Sequence, residues 1–503
     1  AKLARITPIF PDYDNKRSMI HIDNLTEFIR LIIDNEESGL FFPQNSEYVK
    51  TSEMVKLIAE VHGRKLKLVE LFNPIIKRIK NKINILNKIF GNLSYDKKIS
   101  KYKEDYNLRN FKESIYLTEK KGKMNKNIDV LILTDNGLET VGGEQESTKI
   151  IINGIKNYYS LGVIQPGMMS NKEDNVYYFF ITKKTRIKHL IKNPISFIVY
   201  MWKVKGIIKS TNPKIIHTQA QASFFMVAFL KKFKLVQNDF KLIHTERGLY
   251  TKYNLIIKKI FEFFIKELDV MVTTTEYNLK LWTQAIEKKN LSLILKVIEN
   301  TPGAIFETYD NKKEKLVQKD KIVIGFAGRY CEWKNWPLAI EISEKLNNIL
   351  GEKLIVKMAV GCLDKKAFIE TEKMFGRMKS IFGNRFSGRI NIDLEEMNNF
   401  YYEIDIFILT SKPNTESFGR TLVEAMSRKT IVLTTDSGGS VEVVGDRSNV
   451  LNTAEEFVNK ILVFYNNKDL LKKEKEKNLL RVREKYSLRN NIDKHLSLYK
   501  SLF

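Results

Sequence analysis

The chain has 503 residues, enough for roughly three or four domains, and its 43% hydrophobic content allows each domain a core. Its two cysteines, Cys331 and Cys362, exclude a disulfide framework and indicate a reducing compartment. The formal net charge of +25 indicates either an anionic partner, such as a membrane surface or a phosphorylated ligand, or a general bias toward lysine. No nucleic-acid-binding motif is recognisable, so no nucleic-acid partner is expected.

Residues 1–118 form the first predicted piece. SMIHID (18–23) predicts a short strand, and Asn24 is a plausible N-cap for the helical stripe that follows. TSEMVKLIAEVHG (51–63) predicts a helix that begins at a Thr or Ser cap and stops at a glycine. Residues 68–91 are basic and amphipathic, so this segment either packs on its own domain or lies on a membrane surface.

A second piece begins near Met124. DVLILT (129–134) is a continuous apolar run, which is typical of a buried parallel strand. ISFIVYMW (195–202) and ASFFMVAFL (222–230) are too short to span a membrane and are predicted to be core. Helical stretches separate several of the apolar runs, and this alternation predicts a doubly wound α/β domain. The further predicted strands are VYYFFIT (176–182), KIIHT (214–218), KLIHT (241–245), VMVTTT (270–275) and KVIEN (296–300).

A polar segment, residues 310–321, predicts a linker to a second α/β series. The final helix, near 488–502, carries Ile492, Leu496, Tyr499 and Leu502 on one face. Two consecutive doubly wound domains predict a cleft, because ligands in such sheets bind beyond the carboxyl ends of the strands. The strands of the second series are IVIGFAG (322–328), IVKMAV (355–360), IDIFILT (404–410) and TIVLTT (430–435).

GFAGRYCEWKN (325–335) places two cations, Arg329 and Lys334, just after a strand and before a helix that starts near Trp336. An arginine fork and a lysine point charge at a strand end suit a diphosphate. The alternative is that both are solvated cations in a lysine-rich chain.

NTESFGRTLVEAM (414–426) places Glu416 and Glu424 eight residues apart, with Phe418 and Gly419 in the intervening turn. A helix N-terminus suits a phosphate, and a carboxylate nearby can accept hydrogen bonds from sugar hydroxyls. The alternatives are a loop acid near the N-cap for Glu416 and a solvent-facing helix residue for Glu424.

Together these two segments resemble the donor site of family 4 glycosyltransferases, in the order Gly328-Arg329…Lys334 and then Glu416-x7-Glu424. DSGGSVEVV (436–444) is similar to the loop that follows in that family. The resemblance covers about residues 126–503 and implies an α/β GT-B fold, in which two Rossmann-like domains face a cleft. It implies an acceptor domain at 128–309, a nucleotide-sugar donor domain at 322–480, and a helix at 481–503 that packs back on the acceptor domain.

The resemblance also implies roles for individual residues. Glu416 would contact the transferred sugar and Glu424 the nucleotide ribose. VGGEQES (141–147) resembles the family's glycine loop, so Gly142 and Gly143 would lie near the donor phosphate and acceptor. LIHTERG (242–248) resembles its strand-end histidine segment, which makes His244 the candidate beside the reacting sugar, whereas His217 is expected to be structural. The donor diphosphate would be held by Arg329, Lys334, Phe418 and Gly419.

The activity implied by this resemblance is a retaining transfer that needs no metal ion and no cofactor. The donor is expected to be a UDP-sugar, and the acceptor a polysaccharide or a glycan linked to a polyprenyl diphosphate. We expect a cytoplasmic enzyme of bacterial surface-polysaccharide synthesis, with peripheral contact at the inner face of an anionic membrane.

Residues 1–118 resemble a different family, the NAD-dependent nucleotide-sugar epimerases and dehydratases. KRSMIHIDNLTEF and the later TSEMVKLIAEV carry the resemblance, which implies that Arg17 contacts a nucleotide-sugar diphosphate. The family's glycine-rich NAD loop and its Tyr-x-x-x-Lys pair belong upstream of the matching segment, so NAD binding and epimerisation are expected only of a longer parent. Met124 then reads as an old start of the transferase frame, after a linker at 119–127, in a natural fusion or a truncated or misassembled frame.

Two alternative functions remain at the sequence level. One is epimerase or dehydratase activity in a full-length parent of the N-terminal piece. The other is a non-catalytic scaffold that binds nucleotide sugar.

Overall fold

The structure is a computed structural model, and it describes residues 8–120, 128–140, 142–167, 175–237, 239–286, 292–313 and 320–503. The chain forms two compact units, Ala1–Asn125 and Lys126–Phe503. Met124, most of the expected linker at 119–127, Val141, and residues 314–319 of the expected linker at 310–321 lie outside the described residues.

The first unit is a small α/β body in which two short strands pair in parallel. Phe10, Ile58, Ile76 and Phe90 form one apolar cluster, and Phe28 and Leu31 pack with Tyr106 in a second. Its elements are β1 (Ile9–Pro11), α1 (Ile22–Asp34), α2 (Thr51–Val61), β2 (Lys67–Val69), α3 (Asn73–Ile79), α4 (Asn84–Phe90) and α5 (Phe111–Lys120).

The strand predicted at SMIHID is wrong, because helix α1 already begins at Ile22. The N-cap is His21, whose Nδ1 accepts a hydrogen bond from the amide of Asp23 at 3.2 Å. Asn24 is not the cap but a fully buried residue, and its amide nitrogen donates to Asn45 Oδ1 and to the Arg109 carbonyl at 2.9 Å each. Its polar side chain thus ties distant loops together rather than starting a helix.

The predicted cap of the next helix is also wrong. Lys50 occupies the N-cap of α2 without a side-chain hydrogen bond, while Thr51 and Ser52 lie inside the helix and are buried. The amphipathic segment 68–91 forms a short strand and two seven-residue helices rather than one long helix. It places Ile76 and Phe90 in the core of its own unit, while Leu71 and Ile75 stay exposed.

The second unit begins with a seven-stranded sheet in which every neighbouring pair runs parallel. The strand order is β5-β4-β3-β6-β7-β8-β9, a doubly wound order that reverses beside β3. The strands are β3 (Val130–Leu133), β4 (Leu161–Gln165), β5 (Val176–Phe180), β6 (Ile215–Thr218), β7 (Lys241–Glu246), β8 (Val270–Thr273) and β9 (Ile294–Val297), and the helices are α6 (Gly143–Ile155), α7 (Lys188–Ile191), α8 (Pro194–Thr211), α9 (Gln221–Lys232), α10 (Leu255–Phe264) and α11 (Glu276–Ile286).

A five-stranded parallel sheet follows in the same unit, in the order β12-β11-β10-β13-β14. This order is again doubly wound, and the predicted α/β fold class is confirmed for both sheets. The strands are β10 (Ile322–Arg329), β11 (Leu354–Gly361), β12 (Phe386–Ile390), β13 (Ile406–Leu409) and β14 (Ile431–Thr434), and the helices are α12 (Trp336–Leu350), α13 (Lys365–Phe382), α14 (Leu394–Tyr402), α15 (Arg420–Met426), α16 (Gly439–Val444), α17 (Ala454–Asn466), α18 (Lys468–Lys485) and α19 (Leu488–Lys500).

The last helix, α19, returns to the seven-stranded half. The Tyr499 hydroxyl lies 2.7 Å from His217 Nδ1, and the Asn491 amide nitrogen donates to the Glu299 carbonyl at 2.6 Å. Ile492 lies against Gly154 of α6, where an added Cβ would come within 2.5 Å of its side chain. At its end, the chain therefore leaves the five-stranded half and packs its last helix on the seven-stranded half.

The two apolar runs that were predicted to be core differ in their placement. ASFFMVAFL forms most of α9 and is largely buried, which confirms that prediction. ISFIVYMW lies in α8, where Tyr200 is part of the core and Phe197 and Met201 pack against it. The other face of this run is exposed, so there the prediction is wrong: Ile195, Ile198, Val199 and Trp202. In the described part of the chain, no helix combines the length and apolarity needed to cross a membrane.

Candidate active site

The first part of the site is an ion pair between Lys334 and Glu416. Lys334 ends a short 3₁₀ turn, Glu332–Lys334, after β10, and Glu416 lies in the loop between β13 and α15. Lys334 Nζ donates to Glu416 Oε1 at 2.8 Å, and Ser411 Oγ donates to the same oxygen at 2.7 Å. Burial raises the pKa of Glu416, but Lys334 and Ser411 outweigh burial and lower this pKa below its ordinary value. The carboxylate is therefore ionised at neutral pH.

Two more cations meet at the ring of Trp333, beside this pair. Arg329, exposed at the end of β10, places its guanidinium carbon 5.9 Å from the ring centre. Lys252 places Nζ 5.4 Å from the same ring and donates to the Thr415 carbonyl at 2.8 Å. Partial burial lowers the pKa of Lys252, and Glu416 opposes that shift.

Lys252 comes from the other half of the unit, in the 3₁₀ turn Tyr250–Lys252 after β7. The site is thus assembled from both sheets, and cations gather where the two halves touch. Sequence reasoning missed Lys252, since nothing in its neighbours separates it from the other lysines of a lysine-rich chain.

Glu424 lies on α15 with both carboxylate oxygens occupied. Arg420 Nε lies 3.0 Å from Glu424 Oε1, and the Tyr401 hydroxyl donates to Oε2 at 2.9 Å. Burial raises the pKa of Glu424, and Arg420 and Tyr401 oppose this shift. A nucleotide ribose would have to share or replace these partners, so the ribose contact stays a prediction.

Phe418 and Gly419 can offer a diphosphate only their backbone. The Phe418 side chain is buried and packs edge-on against Tyr486. Gly419 is the N-cap of α15 with φ at 90°, a conformation that favours glycine. The following loop packs tightly against this turn, because a Cβ on Gly439 would lie 2.1 Å from the Ser417 carbonyl oxygen.

In the first half of the unit, Gly142 and Gly143 open helix α6. The φ of Gly142 is 170°, which any residue adopts, and a Cβ on Gly143 would meet nothing within 4 Å. The backbone conformation of Gly142 therefore does not require glycine, but a Cβ there would lie 2.2 Å from Gln145 Oε1, so that side chain would have to move. Only the space beside Gly143 is open. Their contact with phosphate and acceptor stays a prediction.

Acidic side chains beside these glycines were missed by the sequence analysis. Glu144 accepts hydrogen bonds from Asn136 Nδ2 at 2.7 Å and from the Asp135 amide at 3.3 Å. Burial raises the pKa of Glu144, and the neighbouring Asp135 raises it further. The available signal was the polar pair Asp135-Asn136, which begins two residues after β3 ends, at the edge of the sheet where ligands bind.

His244 lies inside the first half rather than beside the ion pair. Its side chain is fully buried and its ring stacks on Phe224 at a centroid distance of 4.7 Å. Its Nδ1 lies 3.0 Å from Thr218 Oγ1 and its Nε2 lies 3.3 Å from Glu246 Oε2. His244 as the residue beside the reacting sugar stays a prediction.

His217, on the neighbouring strand β6, contacts Tyr499 of the last helix and Thr245 Oγ1, each at 2.7 Å. Burial lowers the pKa of His217 well below its ordinary value, so the imidazole is neutral. These contacts agree with the structural role expected for it.

Arg247, just beyond β7, reaches a small cavity at the ends of β7, β8 and β9. Its guanidinium donates to the Gln219 carbonyl at 2.7 Å and to Gln219 Oε1 at 2.8 Å. Burial lowers the pKa of Arg247 to about 10, although Glu144 and Glu246 oppose the shift. The cavity is also lined by Ser147, Asn300, Thr301, Asn491 and His495.

The side chain of Arg17, in the first unit, is hydrogen-bonded to backbone carbonyls of its own unit. Its guanidinium donates to the Lys88 carbonyl and, at 3.4 Å, to the Gly91 carbonyl at the end of α4. The nucleotide-sugar contact expected of Arg17 stays a prediction. Within the described ranges, no group of three or more His, Cys, Asp and Glu side chains is arranged to hold a metal ion.

Comparison with known proteins gives one family match and many structural ones. Residues 308–481 match the family profile "Glycosyl transferases group 1". No curated protein sequence matches the chain.

Solved structures similar to this chain share its architecture at low sequence identity. Sucrose-phosphate synthase from Thermosynechococcus elongatus aligns with a TM-score of 0.60 and 14% identity, over 75% of this chain and 99% of its own. A glycosyltransferase from Rickettsia africae aligns at 0.56 and 19% identity, over 75% and 99%. Anabaena HepE, solved with UDP and glucose, aligns at 0.56 and 14% identity, over 74% and 100%.

At these identities the likeness shows the fold alone, and that fold is GT-B. The family match covers the half that contributes Arg329, Lys334, Glu416 and Glu424. Residues 308–481 are therefore a glycosyltransferase group 1 domain, within a unit that has the GT-B fold.

Proposed function

We propose that the chain is a retaining, metal-independent glycosyltransferase of family 4 that moves a sugar from a UDP-sugar to a polysaccharide or lipid-linked glycan. The observation that carries the proposal is the Lys334–Glu416 pair, 2.8 Å apart, with Arg329 and Lys252 gathered beside it. HepE has been solved with UDP-glucose, and a trehalose-6-phosphate protein from E. coli with UDP-2-fluoro glucose. These neighbours support uridine as the donor base.

During the proposed transfer, negative charge develops on the leaving diphosphate. The bond between the anomeric carbon and the β-phosphate oxygen breaks, and its electron pair goes to the leaving diphosphate. The acceptor hydroxyl oxygen bonds the same sugar face, and its proton passes to the departing diphosphate oxygen. Arg329, Lys334 and Lys252 would stabilise the charge of that diphosphate, and such preorganised electrostatic stabilisation is the largest catalytic term in many enzymes. Glu416, held ionised by Lys334, would accept hydrogen bonds from the sugar hydroxyls.

The decisive experiment measures UDP or GDP release by the full chain from a panel of UDP- and GDP-sugars, with and without a polyprenyl-diphosphate-linked acceptor. We expect release from one UDP-sugar, stimulated by acceptor, unchanged by EDTA, and lost in Glu416→Ala. The matched control is Glu455→Ala, which removes an exposed partner of Lys345 in the same half. Equal turnover in Glu416→Ala and Glu455→Ala would overturn the site.

We further propose that residues 1–118 are the C-terminal part of a nucleotide-sugar epimerase or dehydratase, without activity of its own. Its support is the quoted sequence pattern alone, and Arg17 is engaged with carbonyls of its own unit. The test is NADH fluorescence on titration with the full chain. We expect no binding, and saturable binding would contradict the proposal.

A further inference from the structure

Helix α8 exposes apolar side chains on the face that points away from the core. Tyr200, Val204 and Ile208 are buried, and they follow one another at a spacing of four residues. Ile195, Ile198, Val199 and Trp202 recur at the helical period on the opposite face. A soluble amphipathic helix carries polar residues on this outer face, so its apolar content needs a partner.

Neighbouring elements extend this exposed face. Phe180 ends β5, and Lys203 of α8 reaches that end by donating to the Ile181 carbonyl at 2.6 Å. Ile191 ends α7, which packs on α8. We call the combined surface the α8 patch, and each of its residues is at least 47% exposed: Phe180, Ile191, Ile195, Ile198, Val199 and Trp202.

The sequence around the α8 patch carries charge of one sign. Residues 175–214 contain nine lysines and arginines and no aspartate or glutamate. At the chain's average of 59 acids in 503 residues, a stretch of this length would contain about five. The positive charge here therefore exceeds the lysine bias of the chain as a whole, because the acids are missing as well.

This combination fits a bilayer surface better than other partners. Lysine side chains can extend past an apolar surface to lipid headgroups, while isoleucine, phenylalanine and tryptophan enter the boundary of the acyl chains. Trp202 has the amphipathic ring typical of membrane interfaces, and Lys205 Nζ lies 3.9 Å from its centre. A nucleic acid would leave the aliphatic centre of the patch unpaired, and a second copy of this patch would oppose like charges.

We propose that the α8 patch docks the acceptor-binding half of the enzyme on an anionic lipid bilayer. The proposal deepens the proposed function, on which it rests for the lipid-linked acceptor, by naming the surface that brings the enzyme to it. Apolar insertion supplies part of the binding, and the surrounding cations supply selectivity for anionic lipid.

The test is co-sedimentation of the full chain with vesicles of phosphatidylglycerol and phosphatidylcholine in equal parts, and with vesicles of phosphatidylcholine alone. We expect binding to the mixed vesicles that is weaker at high salt, and little binding to phosphatidylcholine. Binding should weaken at least about tenfold in Ile198→Glu/Trp202→Glu, which replaces inserted apolar side chains by negative charges. It should weaken as much in a separate variant that carries glutamine at Lys183, Lys184, Lys188 and Lys192, since each cation near the surface contributes roughly fivefold.

The matched control is Ile349→Glu/Leu480→Glu, which places the same charges at equally exposed apolar positions in the other half. It should bind mixed vesicles like the wild type, and circular dichroism should show that both glutamate variants are folded. Absence of binding to mixed vesicles at low salt, equal binding by the patch variants, or self-association that the patch variants abolish would each overturn the proposal.

UDP release in the absence of acceptor separates this proposal from the proposed function. The patch variants should release UDP like the wild type, because their changes lie outside the donor site. Vesicle binding by a chain that releases no UDP would uphold the docking surface and count against the transferase alone.

Discussion

Lys334 and Glu416 form a buried contact on which stability depends and, in the proposed function, activity as well. The side chains of Lys334 and Glu416 are only 13% and 14% exposed, so each charge depends on the other for its compensation. Removing one partner of such a pair leaves an uncompensated buried charge, which costs on the order of 3 kcal/mol. The same residues would hold donor and sugar, so activity and stability should fall together.

Lys334→Met should therefore lower both UDP release and the temperature of thermal unfolding. Lys345→Met is the control, because Lys345 pairs with an exposed Glu455 and such pairs contribute roughly 0–1 kcal/mol. Calorimetric melts and release assays on both variants check this. An unfolding temperature of Lys334→Met equal to that of the wild type would show that the ion pair does not contribute to stability in this way.

Lys252 is only partly buried and contributes one hydrogen bond between the halves, so its replacement should affect UDP release more than stability. Lys252→Met should lower UDP release about tenfold, the scale of one charge-assisted hydrogen bond, with little change in melting. Lys259→Met, an exposed lysine of α10, is the control. Equal rates for the two variants would remove Lys252 from the site.

At the scale of elements, α19 carries a pH-sensitive group into the seven-stranded half. Burial lowers the pKa of His495 to about 4, the Asn491 carbonyl opposes the shift, and Arg247 adds to it. The unfolded chain binds this proton at an ordinary pKa near 6.5, whereas the folded chain does not until about pH 4. Stability should therefore fall as the pH drops from 6.5 to 4, by about 3 kcal/mol from this group.

His495→Gln should reduce that dependence, because glutamine does not titrate, while the buried His217 keeps its own contribution in the same direction. His189→Gln, which changes an exposed histidine of α7, should keep the wild-type slope. Thermal unfolding at several pH values between 4 and 7 measures both. Parallel slopes in all three proteins would show that His495 is not the titrating group.

The same scale shows what the sequence could and could not predict. Continuous apolar runs such as DVLILT predicted their strands correctly, because a parallel strand covered on both faces is apolar at every position. LGVIQ of β4 and FSGRI of β12 went unpredicted, since a glycine and polar residues interrupt their apolar pattern. The apolar outer face of α8 was mistaken for core, because composition alone does not distinguish burial from an exposed apolar surface.

Some residues of the candidate site could likewise be predicted from the sequence, and others could not. Arg329, Lys334 and Glu416 were identified because a motif keeps them at fixed spacing, and the structure brings Lys334 and Glu416 into contact. Lys252 joins them through its hydrogen bond to the Thr415 carbonyl, a contact between residues 163 positions apart that no local pattern encodes. His244 followed from a strand-end pattern, yet its ring faces Phe224 of α9 instead of the ion pair.

At the scale of the whole second unit, its two halves are joined by direct hydrogen bonds near the candidate site. Thr275 Oγ1 donates to the Ser417 carbonyl at 2.8 Å, and Arg420 donates to the Pro302 carbonyl at 2.9 Å. A donor bound between the halves would contact both of them and stabilise this arrangement.

UDP should therefore raise the unfolding temperature of the full chain. At a concentration of 100 Kd, binding to the folded state alone adds about 2.7 kcal/mol to its stability. Uridine, which lacks phosphates for the cations to hold, should produce a much smaller shift. Equal shifts from UDP and uridine would show that the cations do not hold the diphosphate.

In the proposed function, the cations around Trp333 hold a donor diphosphate. Calorimetric titration of UDP into the wild type and into Arg329→Met is the sharpest test, because Arg329 is exposed and its replacement is expected to leave the fold intact. We predict saturable binding to the wild type and binding at least about tenfold weaker to the variant, the loss of one charged contact. Equal affinity in the two proteins, or no binding of UDP to either, would show that these cations do not form a diphosphate site.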